Sequence, residues 1–210
     1  MSFTLKRGLS NVFVAEVLED KEGESGYKTG TPYHLIPAGE MSRTTEGDKS
    51  NVYFDNGVFY VSGTEGATEI KITGAALRPV DIAKITGKAV DETTGAILDT
   101  GEYAEKYFAV GGETKNTDGT KEMFWFLKGT FSIPDQNDKT EDDSTDTNGT
   151  ELTFSAIKTI HKFTVDGAEK PMKKVVIDTE TTELKADATW TAQVVTPDNL
   201  STVVQAVSSI

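Results

Sequence analysis

Few groups in this 210-residue chain could start chemistry: two histidines, His34 and His161, no cysteine, and one strongly acidic run. Without cysteine there is no disulfide, no thiolate zinc site and no thiol nucleophile. His161 falls in a β-rich run, where it reads as a packed or surface residue rather than a base. No serine occupies the G-x-S-x-G pattern of a nucleophile elbow. The glycine patterns that cradle phosphates or dinucleotides are missing as well. The acidic run, residues 135–148 (DQNDKTEDDSTDTN), carries Asp135, Asp138, Glu141, Asp142, Asp143 and Asp146 against one lysine and has no apolar side chain. Asp138, Asp142, Asp143 and Asp146 offer the hard oxygen ligands that calcium takes, but the spacing departs from an EF-hand and no glycine enforces the turn. A solvated, mobile loop is the expectation, because such a segment cannot offset its ordering entropy by burial. A carboxylate pair for glycoside hydrolysis stays open, since separation in sequence does not set separation in space. Nothing nominates a specific pair, so we expect no enzyme, no cofactor and no metal.

Charge narrows the partners. Asp and Glu outnumber Lys and Arg by 34 to 21, a formal net charge of −13. That argues against ordinary phosphate binding, for which a basic surface supplies most of the affinity. It suits solubility, or a surface that nucleic acid does not adhere to. The N-terminal residues lack an apolar signal-peptide core. No run of eighteen apolar residues occurs, so no membrane partner is expected. The length fits one all-β domain or one domain with an appendage.

The elements are organised around Lys121–Pro134 (KEMFWFLKGTFSIP). Strand side chains alternate between faces, so Phe124, Trp125, Phe126 and Leu127, with Phe131 beyond, require cover on both sides. That cover is either a second layer or a neighbouring subunit. Pro134 stops the strand, having no N–H to donate. Asn11–Leu18 reads as a first strand, and Tyr33–Ile36 as a short return. Ala38–Lys49 (AGEMSRTTEGDK) has almost no periodicity and reads as a long loop, of a kind often functional. Asp55-Asn56-Gly57 between Val52–Phe54 and Val58–Val61 signals a hairpin, because Asn and Gly tolerate positive φ. Thr68–Thr73 alternates, with Ile70 and Ile72 inward. Pro79–Thr86 reads as one short helix, with proline at its start, Asp81 near its positive end and Gly87 as its stop. Tyr103–Val110 reads as a strand and Gly111–Gly119 as a turn. Leu152–Phe163 reads as an antiparallel partner of the central strand. Val175–Ile177 and Trp190–Val195 complete the strands, and Thr196-Pro197 marks a possible helix start. Strands outnumber helices and turns come at short intervals, which indicates a mainly β sandwich or barrel.

Several of these segments together resemble the phi13-type major tail proteins, which build the tail tube of long-tailed, non-contractile phages of Gram-positive bacteria. The resemblance is carried by Gly8-Leu9-Ser10-Asn11, by Thr68–Asp91 with its strand, short helix and Ile85-Thr86-Gly87-Lys88-Ala89-Val90-Asp91, by Met123–Pro134 and by Leu152–Phe163. It spans about Gly8–Phe163. It departs from the family at Lys88, where a histidine is usual, and in the longer acidic loop. The resemblance implies a two-sheet β-sandwich over 1–165 flanked by the helix at 79–86, with 166–210 as a C-terminal extension packed on the same domain or on a neighbour. It implies a virion tail location and hexameric rings stacked into a tube. The partners would be other copies of the chain, a tape measure protein, tail terminator and distal tail proteins, and DNA passing through an acidic lumen without specific binding. On this reading Glu40, Met41, Arg43, Glu46, Asp48 and Lys49 belong to the candidate stacking loop, and Phe124–Leu127 with Phe131 to a core or inter-subunit strand. The alternative is a cell-surface or carbohydrate-binding β-sandwich module.

Overall fold

The run of large side chains at Phe124–Leu127 does find cover on both faces, and the rest of the chain is arranged to provide it. A computed structural model describes residues 3–23, 26–54, 57–102, 104–135, 149–185 and 188–207; side chains at 48–54, 57–59, 61 and 62 fall outside the description. In chain order the elements are β1 (Lys6–Asp20), β2 (Tyr27–Thr29), β3 (Tyr33–His34), β4 (Ala38–Phe54), β5 (Gly57–Gly74), α1 (Pro79–Thr86), β6 (Ala89–Val90) and β7 (Ile97–Leu98). Then come β8 (Phe108–Asn116), β9 (Lys121–Phe131), β10 (Thr150–Ile157), β11 (Lys162–Val165), β12 (Ala168–Pro171), β13 (Lys174–Asp178), β14 (Thr182–Leu184), α2 (Pro197–Val203) and β15 (Val204–Ala206). The protein is mainly β. One nine-stranded sheet runs β2-β1-β8-β9-β10-β5-β4, with β13 added on β9 and β3 on β1. Its ladders are antiparallel.

The free edge of β9 is shared. Its first half pairs with β13, from Glu122↔Asp178 to Phe126↔Lys174. Its second half pairs with β10, from Lys128↔Ile157 to Phe131↔Phe154. Phe124 and Phe126 enter a first core with Val12, Val14, Ile70, Ile72, Phe108, Val110, Leu152 and Phe154, which α1 closes with Ile85. Met123, Trp125 and Leu127 enter a second core with Ala15, Phe163, Val175, Ile177, Trp190, Val194, Val195 and Val203. Phe131 belongs to the first core although its position is odd-numbered. The ladder explains it: Val110 faces Phe126 and Phe108 faces Gly129, so β9 carries one extra residue there, and a bulge moves later side chains to the other face. Complete burial of side chains this size stabilises by roughly 1.5–3 kcal/mol each.

Four expectations are corrected. Gly111 and Gly112 lie inside β8, not in a turn. A Cβ at Gly111 would stand 2.5 Å from Trp125 Cδ2, and one at Gly112 would stand 2.9 Å from Phe124 Cζ, so these glycines let the rings of β9 lie against the neighbouring backbone. Trp190–Val195 is turn and coil rather than strand. Trp190 is instead pinned as a plug, its carbonyl accepting from Trp125 Nε1 at 3.1 Å and its own Nε1 donating to the Phe124 carbonyl at 3.3 Å. The Leu152–Phe163 run breaks after Ile157 and restarts at Lys162. At the break, Asp20 accepts from the Ile160 and His161 N–H groups, which turns the chain away from the sheet. The fourth correction is Ala38–Lys49, which is strand rather than loop.

Residues beyond 165 pack on the same sheet, β13 by pairing and the 190–204 region by filling the second core. The helix at Pro79–Thr86 forms where expected, ending in Gly87 at φ 74. Alanine there would be both strained and blocked, because a Cβ would meet the Ala104 carbonyl oxygen.

Candidate assembly surface

Ala38–Thr45 lacks a visible alternation because its inward positions are Met41 and Arg43. Met41 is half-buried against the first core. The Arg43 guanidinium lies 3.8 Å from the centroid of the Phe124 ring, and its Nη1 donates to Glu122 Oε1 at 3.1 Å. A planar cation stacked on an aromatic face fills a core-facing position that a pattern of apolar residues would never reveal. Glu122 also accepts from Lys6 Nζ at 2.8 Å, so one carboxylate on β9 ties β1 to β4, which touch although they stand far apart in the strand order. Burial pushes the Glu122 carboxyl up, but Lys6 and Arg43 outweigh it and hold it below the ordinary glutamate value.

Past this closure β4 and β5 leave the sheet. The last pair between β5 and β10 is Thr68↔Ala156. Beyond it β4 and β5 pair only with each other, from Gly47↔Glu65 to Phe54↔Gly57. The hairpin signalled by Asn56-Gly57 is therefore present as a ladder, although residues 55–56 lie outside the description. At about 3.3 Å per residue, residues 46–54 carry the arm roughly 30 Å past its last partner strand. Glu40, Glu46, Glu65 and Glu69 are exposed around its base. Of the candidate stacking residues, Glu40 and Glu46 stand on the surface, while Met41 and Arg43 belong to the body. Asp48 and Lys49 sit on the arm strand, their side chains outside the described part.

Phe124, Trp125, Phe126, Leu127 and Phe131 are all buried within one chain, from 0% to 8% exposed, so β9 presents no open face to a neighbour. Of the two kinds of cover expected for this strand, the described one comes from the same chain: β13 and the 190–204 region pack on it. Asp135 is exposed, and Asp138, Glu141, Asp142, Asp143 and Asp146 lie outside the described residues.

Each histidine packs against an aromatic ring. His161 is packed edge-on against Phe163, with Nε2 3.9 Å from an Asp198 carboxylate oxygen. His34 packs edge-on against Phe13. Among the described residues no three His, Asp or Glu side chains gather as a metal site, and no helix is long and apolar enough to cross a membrane. Trp125 and Trp190 are buried, so neither can form an exposed stacking platform for sugars.

Two further features were not legible in the sequence. Lys128 is buried and donates to Asp20 Oδ2 at 2.6 Å, with its ammonium 4.4 Å from the Tyr107 ring centroid. Burial pushes the Asp20 carboxyl up, yet the His161 and Ile160 N–H groups and Lys128 outweigh it and hold it below the usual aspartate value. Lys173, equally buried, reaches the base of the arm. Nothing in their sequence context separates these two lysines from surface ones. No protein-family model and no curated protein matches this chain.

Proposed function

We propose that this chain is a structural virion protein, the major subunit of a phage tail tube, folded as a tail-tube β-sandwich and assembled as stacked hexameric rings. The observation that carries the reading is the β4–β5 arm, a long hairpin whose two outer edges pair with no other strand among the described residues. Unpaired edges of this length are suppressed in monomers and are useful where copies of a chain meet. The meeting of β1 with β4 supports a sheet that rolls up as a sandwich or barrel of that type would. A net charge of −13 suits a lumen through which DNA slides by Coulomb repulsion rather than adhering. Tape measure, tail terminator and distal tail proteins would be its further partners, and the virion tail its location.

Negative-stain microscopy of the concentrated protein tests this, together with sedimentation across a concentration series. Rings or hollow tubes are expected. A monomer that persists at millimolar concentration, alone and with tail extracts, would overturn the reading.

A further inference from the structure

The arm leaves the sheet at a point built from small residues and one buried cation. The β4–β5 register slips between Thr45 and Gly47: Glu46 alone stands opposite Gly66 and Ala67, so β5 carries one extra residue where it parts from β10. Bulges of this kind bend and twist a ladder. Gly47, Gly63 and Gly66 flank the slip and have no side chains to resist bending. Something else must set the angle. Lys173, whose side chain is 7% exposed, donates from Nζ to the Gly66 carbonyl at 2.9 Å and lies 2.5 Å from Glu65 Oε1. Its backbone is anchored in the body: the Lys173 carbonyl accepts from Leu127 N at 2.9 Å, immediately before β13 joins β9.

We propose that Lys173 is the positioning residue of the arm, a clasp by which the C-terminal part of the chain fixes the direction in which the β4–β5 hairpin projects toward a second copy. An ammonium suits the task. It has three donors, enough to hold the Gly66 carbonyl and the Glu65 carboxylate together while its backbone is bonded to β9. The Gly66 carbonyl is a main-chain group, so the clasp holds the strand itself and not only a mobile side chain. Lys173 first, and more weakly Lys174 and Lys158, hold the Glu65 carboxyl below the ordinary glutamate value and so keep it ionised at this contact. Without the clasp the bulge and glycines would let the arm sweep a cone. A second copy would then meet the binding-competent direction only part of the time, and its apparent affinity would fall by that fraction.

The geometry of the clasp stands by itself, whereas its consequence for assembly rests on the proposed tube function, and one experiment separates the two. Because the chain has no cysteine, Tyr60→Cys on the arm and Val176→Cys on β13 give two unique, exposed labelling sites. Spin-label distances are measured in dilute full-length protein, with and without Lys173→Met, while the near-ultraviolet circular dichroism of buried Trp125 and Trp190 reports an intact body. The expected result is a single narrow distance in the parent, at least a twofold broader distribution in Lys173→Met, an intermediate width in Glu65→Gln, and tube formation slowed about tenfold or more. An unchanged width with an intact body overturns the clasp. Broadening with an unchanged assembly rate overturns its role in docking. Broadening in a protein that never assembles in parent form supports the clasp and removes the tube reading instead. If Lys173→Met loses the tryptophan signal, Glu65→Gln alone decides by the same widths.

Discussion

On β9 every large side chain enters a layer made by the same chain: Phe124 and Phe126 on one side, Trp125 and Leu127 on the other. On the distal β4–β5 arm each strand has one neighbouring strand among the described residues. The two regions share a secondary structure and differ in where their stabilisation comes from. β9 is held by burial and by ladders on both edges. The arm is held by one ladder, a threonine pair between Thr45 and Thr68 at 3.0 Å, and the Lys173 contact at its base. A two-stranded hairpin standing free in water is marginal. A long one would gain by pairing with a second copy, and that contrast underlies the assembly we propose.

The contrast can be broken in order of expected effect. Trp125→Ala removes the indole shared by the second core and its bond to Trp190, and should cost about 3–5 kcal/mol of unfolding free energy in a denaturant titration. A loss below about 1 kcal/mol would mean that the second face is not a true core. Lys128→Met leaves the buried Asp20 carboxylate with backbone donors only and should cost about 3 kcal/mol, since removing one partner of a buried pair strands the other.

The same pair predicts a pH dependence. Asp20 has its folded-state value below the unfolded one, so its contribution is present above the unfolded value of about 3.9 and is lost as the pH falls through the lower, folded value. Asp20→Asn should therefore flatten the acid limb of stability below about pH 4. An acid limb identical to the parent's would show that Asp20 is not the group responsible.

Gly111→Ala should cost roughly 1–3 kcal/mol by pressing a methyl group into the Trp125 ring. Excision of the arm, joining Gly47 to Glu65 through a short Asn-Gly turn so that Lys173 keeps both its partners, should change stability least, by under about 1 kcal/mol, while abolishing assembly. If excision unfolds the body, the arm is part of the core and the comparison fails. Amide hydrogen exchange sharpens it further: β9 amides should exchange only through global unfolding, and arm amides through local opening.

Much of the body was legible because its signals are local. Four adjacent large apolar residues demand two covers, Ile70 and Ile72 alternate, and Pro79 with Gly87 brackets α1. Asn56-Gly57 marks the hairpin from two residues. Two of the misreadings share one physical cause, that a residue type was given its commonest role. Gly111 and Gly112 read as a turn because glycine usually supplies positive φ, whereas here it supplies room for Trp125 and Phe124. Ala38–Lys49 read as loop because one of its two inward positions holds Arg43, an inward residue only where an aromatic face and a carboxylate receive it.

The sequence by itself determined that the chain is mainly β, that one aromatic strand lies at its centre with both faces covered, and that its surface is strongly acidic. These follow from side-chain period, turn chemistry and charge, which need no knowledge of distant residues. Only the tertiary structure decided that the C-terminal residues supply the second cover, that one bulge carries Phe131 to the opposite core, and that Lys128 and Lys173 are buried. Each depends on which separate segments, from about twenty to more than a hundred residues apart, come within a few ångströms, as Lys173 does with Gly66. That proximity is fixed by the packing of whole layers and is written in no single stretch of the chain.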